Sequence, residues 1–554
     1  MTDLTVELLN KRWGMLKTER ASWISHWQDI TSYLLPRSGR YFVTDHNKGW
    51  KRNNAIYDST GTKALRVLAA GMMSGMTSPS RPWFRLAVAN RNLMELQPVK
   101  QWLAESTEMI NDVFAKSNTY RVLHAMYEEL GAFGTAAALI AEDYENIIHL
   151  HHMTVGEFAI ATDWKGDVCT LYREFEKTVA EVVNEFGIEN VSGPVKSAYE
   201  RGDLDRWITI RHAIEPRDNR DATKKDSKNM PWASYYWEGG NGDGKLLRES
   251  GYKSFRVLAP RWSAQGGDIY GNSPGMDALG DIKQLQAQQF RKSQAIDFQA
   301  NPPLQVPTSM KNREIETFPG GISYYDASAG TQGIKTAFEV NLNLQTLLLD
   351  IQDVRTRING AFFADLFLMI AQQDGRMTAT EVAARNEEKM LMLGPVVERL
   401  SNELLDPLVE CTFQFLSDAG LLPMPPEEMQ GHDLNIEYTS ILAQAQKAVA
   451  VNGIDRYVAS MAGLAQFKPE VLDKFDADKW ADIYSDKLGV DPELIMPQDK
   501  VDSIRNARAK QMAIAQQQEA MSQGSQVIKN LGQTSTESGT VAGEVKQLLG
   551  IGQQ

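Results

Sequence analysis

Three stretches carry residue types and spacings that could do chemistry. Gly239-Gly240-Asn241-Gly242-Asp243-Gly244-Lys245 satisfies G-x-x-x-x-G-K. A phosphate loop of that form needs Ser or Thr after the lysine for magnesium, and a helix whose first amides face the phosphates. Leu246 follows instead, and the flanks SYYWE and KLLRESGYKSF read as strands, so the pattern predicts a hairpin loop. In IIHLHHM, alternation puts His149 and His151 on one strand face, as a metal pair would require, but no acid or cysteine at ligand spacing completes it. Asp374 and Glu381 are close in sequence, yet Thr378 and Glu381 form a T-x-x-E capping box, which gives Glu381 a helix-starting task. No H-E-x-x-H helix is present. The residues thus point to no catalytic, cofactor-binding or metal-binding group.

Composition narrows the remaining classes. The 554 residues suffice for two to four domains with ample core. Cys169 and Cys411 are the only cysteines, too few for a disulfide framework or thiolate site, which fits synthesis in a reducing cytoplasm. With 71 acidic against 58 basic residues the net charge is −13. A strong nonspecific DNA binder gains affinity by releasing counterions through many Lys and Arg contacts, and this chain is built the other way. That excludes gripping DNA but not letting it pass. Arg217, Arg220, Lys224, Lys225 and Lys228 alternate with Asp218, Asp221 and Asp226, the pattern of a solvated loop. The start MTDLTVELLNKRW has an acid and no apolar core, unlike a secretory signal. The most apolar run, AFFADLFLMIA, is far short of the roughly 20 residues a bilayer requires.

The elements that would position these groups are mostly helices. Leu9, Trp13, Leu16, Trp23, Trp27 and Ile30 recur near a 3.6 period, and Pro36 ends the segment. Helices are expected over the small-residue run after Thr60, over 99–115, and through LHAMYEELGAFGTAAALIAED, with a short strand at 83–88. From about Ile147 the rhythm becomes strand-like, interrupted by the helix KTVAEVVNEFG with Gly187 as its C-cap. Residues 1–270 therefore read as a mixed α+β unit. Two helices over 274–300 and 338–364, each spanning roughly 37 Å, bracket a small proline-broken β module at 301–337. A polar loop, AQQDGRM, follows at 371–377. The capped helix then runs to about Ala419, with a kink expected at Gly394-Pro395. PMPPEE reads as a linker, 440–522 as helical, and the Gly/Ser/Thr/Gln-rich end as mobile.

This order of segments resembles the portal proteins, or head-to-tail connectors, of short-tailed bacteriophages. The residues carrying the resemblance are IYDSTGTKALRVLAAGMMSGMTSPSRPWFRL, FGTAAALIAED, FAIATDWKGDVCTLYREF, IYGNSPGMDALGDIKQLQ and DGRMTATEV, in that order, and it covers the chain from Trp13 to about Ser522. It implies a non-enzymatic, helix-dominated α+β portal fold with wing, stem, clip and crown, without cofactor or metal. The structural role is a ring of about twelve identical subunits at one capsid vertex of the virion, around a DNA channel used for packaging and ejection. Implied partners are double-stranded DNA, terminase during packaging, a tail adaptor at the clip, the major capsid and scaffolding proteins, and internal core proteins. No membrane is involved.

Carried over by segment, the wing would be 1–270 with a long helix at 378–420, the stem 271–300 and 338–365, and the clip 301–337. A tunnel loop would occupy 366–377, the crown and a helical barrel 421–522, and a flexible tail 523–554. Gln372, Gln373, Asp374, Gly375, Arg376 and Met377 would meet DNA. Lys283, Gln284, Gln286, Gln288, Arg291, Lys292 and Gln294 would line the channel or the seam between subunits. Uncharged glutamines keep such a wall wet without holding phosphate, and Lys283, Arg291 and Lys292 are expected either to form shallow rings of positive charge or, the favoured reading, to pair with Asp281 or Asp297 of the next copy. The alternatives are another head–tail junction protein, an adaptor or nozzle, and an ATP-driven motor, which would need the complete phosphate loop that is missing.

Overall fold

The structure is a computed structural model describing residues 2–45, 49, 55–94, 96–240, 245–300, 304–305, 335–336, 344–371, 392–429, 434–439, 457–465, 467–488, 496 and 500–515. The chain divides into two compact units, 1–450 and 451–554.

The first unit opens with α1 (Thr2–Tyr33), followed by α2 (Thr60–Met76), β1 (Phe84–Val88), the single turn α3 (Arg91–Met94), α4 (Gln97–Lys116) and α5 (Thr119–Phe133). Aromatic residues knit these together. Trp27 and Tyr270 meet edge to face with centroids 5.2 Å apart, and Trp83 stacks on Phe114 and Tyr438 at 5.9 and 6.4 Å. Trp27, Tyr270, Trp83 and Phe114 lie in one continuous core, and Tyr438 packs against it. The helix expected through Asp143 stops early. Gly134, at φ +75°, ends α5, and β2 (Ala137–Asp143) pairs antiparallel with β3 (Ile147–Met153) and β9 (Val257–Leu258). Alanine's helix preference is a weak prior, and burial between two partner strands overrides it.

A five-stranded antiparallel sheet follows in the order β4 (Phe158–Thr162), β5 (Val168–Thr178), β6 (Trp207–Pro216), β7 (Trp232–Glu238) and β8 (Leu246–Tyr252). Adjacent residues of β7 face opposite sides: Trp237 joins Trp13 and Leu16 of α1, while Tyr236 joins the short helices α6 (Val179–Phe186) and α7 (Gly193–Glu200). A capping box between Thr178 and Glu181 starts α6, and Gly187 at φ +86° ends it. The glycine-rich G-x-x-x-x-G-K stretch connects β7 to β8, two antiparallel strands, as a hairpin reading requires.

The chain then forms α8 (Pro274–Asp277), α9 (Leu279–Ala300), the antiparallel pair β10 (Leu304–Gln305) and β11 (Lys335–Thr336), and α10 (Leu344–Ala361). The second long helix is shorter than expected. Phe363, at φ +53°, breaks it, and α11 (Ala364–Ala371) continues in a new direction, so 366–371 is helix rather than loop. Gly71 of α2 lets α11 come this close: a Cβ there would lie 2.2 Å from the Phe367 ring. Helix α12 (392–400) runs through a π-helical segment, Ser401–Leu405, into α13 (Asp406–Asp418). The irregularity thus lies at 401–405. Pro407 has no amide to return to residue 403, and the Asp406 amide reaches Ser401 O instead. The strand β12 (Leu434–Tyr438), expected in the crown, pairs antiparallel with β1 and so belongs to the first unit.

In the second unit the described residues are mainly helical: α14 (457–465), α15 (Ala477–Leu488) and α16 (500–515). Arg505 of α16 bonds both Asp478 carboxylate oxygens. Among the described residues, no helix is long and apolar enough to cross a membrane.

Candidate stem hairpin and its root

The site that the sequence singles out is the pair α9 and α10. Ser273 caps the base: its hydroxyl accepts from the Met276 amide at 3.0 Å and donates to Ala132 O at 2.7 Å. Pro274 supplies a preset φ in the first turn, and Gly275 permits contact with α5, since a Cβ there would lie 2.7 Å from Ala132 O. Leu279, Ile282 and Leu285 of α9 and Ile351, Val354 and Ile358 of α10 are all buried in the main core. Two polar contacts fix the register between the helices. Arg357 pairs with Asp281 at 3.2 Å, and Gln288 donates to Asp350. Seven residues forward on α9 correspond to seven backward on α10, so the helices run antiparallel.

Both helices are tied to the loop before α2 by a buried carboxylate. Asp58 Oδ1 accepts from the Thr60 amide (2.9 Å) and hydroxyl (2.5 Å). Its Oδ2 accepts from Gln289 Nε2 (2.9 Å) and from Arg355 Nη2 (2.7 Å) and Nε (3.2 Å). Burial pushes the Asp58 carboxyl up, but the bonds from Thr60 and Arg355 outweigh it and hold the group below the usual carboxylate range. Gln286 completes the knot: its Oε1 accepts from the Tyr57 and Asp58 amides at 2.6 and 2.8 Å, and its Nε2 donates to Asp58 O at 2.9 Å. A polar cavity of about 530 Å³, lined in part by Asp58, Lys63, Gln352, Arg355 and Asn359, opens beside it.

The expected stem residues therefore separate into three groups. Gln286 is 4 % exposed and its amide is bonded within its own chain. Within the chain, Lys283 pairs with Asp29 at 2.7 Å and lies over the Tyr33 ring, and Asp281 pairs with Arg357. Gln288 bridges to α10. Gln284, Arg291 and Gln294 are exposed and Lys292 is half-buried; neither Arg291 nor Lys292 has an ion pair among the described residues. Gln372, Gln373, Asp374, Gly375, Arg376, Met377, Thr378 and Glu381 lie outside the described residues. Asp58, Gln289, Arg355 and Arg357 were not anticipated. Only Asp58 left a sequence signal: the Asp-Ser-Thr run is a helix-start signature.

The other chemically suggestive groups serve the fold. His149 and His151 rings lie 4.8 Å apart, while His152, on the opposite face, meets the buried Glu129 at 3.5 Å. Burial and the neighbouring Arg173 push His151 down to about 4. His212 is buried, accepts from Arg173 Nε at 3.1 Å and sits 3.0 Å from Ser234 Oγ. Among the described residues no group of three or more His, Cys, Asp or Glu could hold a metal. In the basic loop Lys224 pairs with Asp221, as a solvated loop would, whereas Arg217 is largely buried and bonds Glu249 and the Ser250 carbonyl of β8.

Comparison with known proteins matches residues 6–496 to the family described as bacteriophage head to tail connecting protein. The chain is 58 % identical to a "Probable portal protein" of Bordetella phage BPP-1 over 531 residues, 96 % of each chain. It is 44 % identical to the "Portal protein" of Salmonella phage epsilon15 over 556 residues, 100 % of each. Among solved structures it resembles, at TM-score 0.38, a chain from the neck of an empty gene transfer agent particle (12 % identity; 82 % of this chain and 96 % of that one). It resembles a chain from a native gene transfer agent virion equally, with 11 % identity and 84 % and 99 % coverage. Structural likeness at that level decides nothing by itself.

Proposed function

This chain belongs to the bacteriophage head to tail connecting protein family, and from that premise we propose that it closes with about twelve copies of itself into a portal ring around a DNA channel. The observation that carries this reading is the stem hairpin. Two long antiparallel helices project from a densely packed α+β body, are fixed at their base by Asp58, and keep flanks that the chain itself leaves uncovered. A rigid root with open flanks suits an element whose packing is finished by neighbours.

The ring sits at one vertex of the virion. Duplex DNA passes through it during packaging and ejection, terminase and then a tail adaptor dock at the clip, and capsid and scaffolding proteins surround it. The protein performs no catalysis. The overall charge of −13 and the uncharged Gln284 and Gln294 leave few groups that could hold phosphates, so DNA slides instead of sticking. The 372–377 loop meets the duplex at the narrowest point, where Gly375 supplies backbone freedom. Replacing 371–377 with a Gly-Ser loop tests this assignment: rings should persist on a sizing column while DNA packaging or retention falls. Unchanged packaging would remove the loop from the mechanism.

A further inference from the structure

The register of the stem hairpin specifies which of its residues a neighbouring copy would meet. Phe290 comes nine residues after Asp281, and Leu348 nine residues before Arg357. Nine residues make two and a half helical turns, so each lies on the side of its helix turned away from the Asp281–Arg357 contact. The two therefore mark opposite flanks of the hairpin. Both are large, apolar and uncovered, at 43 % and 46 % exposure, although Phe290 touches the Tyr57 ring at 5.3 Å.

Their heights also agree. Continuing the register set by Asp281–Arg357 and Gln288–Asp350 places Phe290 level with Leu348. Ala287 falls level with Ile351, one residue from the exposed Gln352, and Gln294 falls level with Leu344, one from the exposed Gln345. Rotation about an axis parallel to the stem leaves height unchanged. A copy generated by such a rotation therefore brings its α10 flank to the α9 flank of the first with apolar opposite apolar and glutamine opposite glutamine. Ala287 is the small residue that admits close approach beside the Phe290 contact.

Resting on the ring reading above, we infer that adjacent copies join through a heterologous seam in which the Phe290 flank of α9 packs on the Leu348 flank of the next copy's α10. Ala287 faces Gln352 and Gln294 faces Gln345 across it. The occupant is a second copy because the flanks match in chemistry only when one chain supplies each, at equal height. A duplex would leave both apolar side chains in water. The Gln294–Gln345 pair supports the register of the apolar contact, since a slip would set glutamine against an apolar side chain.

Paired cysteines test the seam. In a chain with Cys169→Ser, Ala287→Cys combined with Gln352→Cys should give, under mild oxidation, a ladder from monomer to closed ring on a non-reducing gel. The two positions lie on opposite flanks of one chain, too far apart to bridge within it. Gln288→Cys with Asp350→Cys should cross-link within the chain and stay monomeric on the gel. Rings visible by electron microscopy but no ladder, or a dimer from Ala287→Cys alone, would overturn the seam and leave the ring reading intact. Failure of the unsubstituted chain to form rings would overturn the ring reading itself. A Phe290→Asp chain that remains folded by circular dichroism but loses rings would support the seam; one that forms rings as before would count against it.

Discussion

The body and the stem hairpin obey different rules of completion. In the body, aromatic residues close on one another within a single chain: Trp27, Trp83 and Trp237 are each at most 1 % exposed. Even its charges are settled internally. Arg261, 3 % exposed, bonds Glu403 through its amide at 2.8 Å and through Nη2 at 2.6 Å, with Gly166 O accepting from the same Nη2. The stem is packed on its inner side alone. Past Gln286 only Ala295 of α9 is buried, whereas Phe290, Ile296, Phe298, Leu348 and Leu349 stand exposed. The difference teaches that the fold's stability and the assembly's geometry are held by separate parts of one chain, with Asp58 at the joint.

Substitutions should separate the two regions. The largest effect is expected from Glu403→Ala, which leaves a buried arginine unpaired; a loss of about 3–5 kcal/mol in denaturant unfolding would show the body's internal closure, and a loss near zero would refute it. Next comes Asp58→Ala, which strands the Thr60, Gln289 and Arg355 donors at a cost of about 1–3 kcal/mol. Hydrogen exchange should rise in α9 and α10 while β5–β7 stay protected, and a uniform rise would erase the distinction between regions.

A smaller effect concerns pH. Burial lowers the His152 pKa, but Glu129, with help from Glu157 and against Arg40, raises it further, for a net upward shift. A group whose folded pKa exceeds its unfolded value adds stability that is complete below the unfolded value and is lost as pH rises through the folded one. Body stability should therefore decline from about pH 6.5 upward. His152→Gln should flatten that slope, and an unchanged slope would place its origin elsewhere. The smallest effect is predicted for Arg291→Ala: being exposed and without an ion pair among the described residues, it should alter the single chain's stability by less than about 0.5 kcal/mol.

Much of this division was legible in sequence. The 3.6-residue period located α1, α9 and the middle of α10, and Gly187 marked the end of α6, because local backbone chemistry decides such features. The β2 strand was misread because its alanines carry no periodic signal and the deciding partners, β3 and β9, are supplied by the tertiary fold. The break at Phe363 was invisible for a like reason: no glycine or proline announces it, and burial of Phe362 and Phe367 against α2 sets the turn. In the stem, glutamine content pointed to polar contacts but not to which ones. Gln286 and Gln284 differ by two positions, and only packing against residues 57–58 separates the buried one from the exposed one.

The most direct test is the native mass of the assembly released intact from virions. One closed species at about twelve times the 62.0 kDa chain mass, with a central hole in images of the same sample, is the expected result. A monomer, or an open series of lengths without a closed form, would contradict the claim that the stem flanks complete one another.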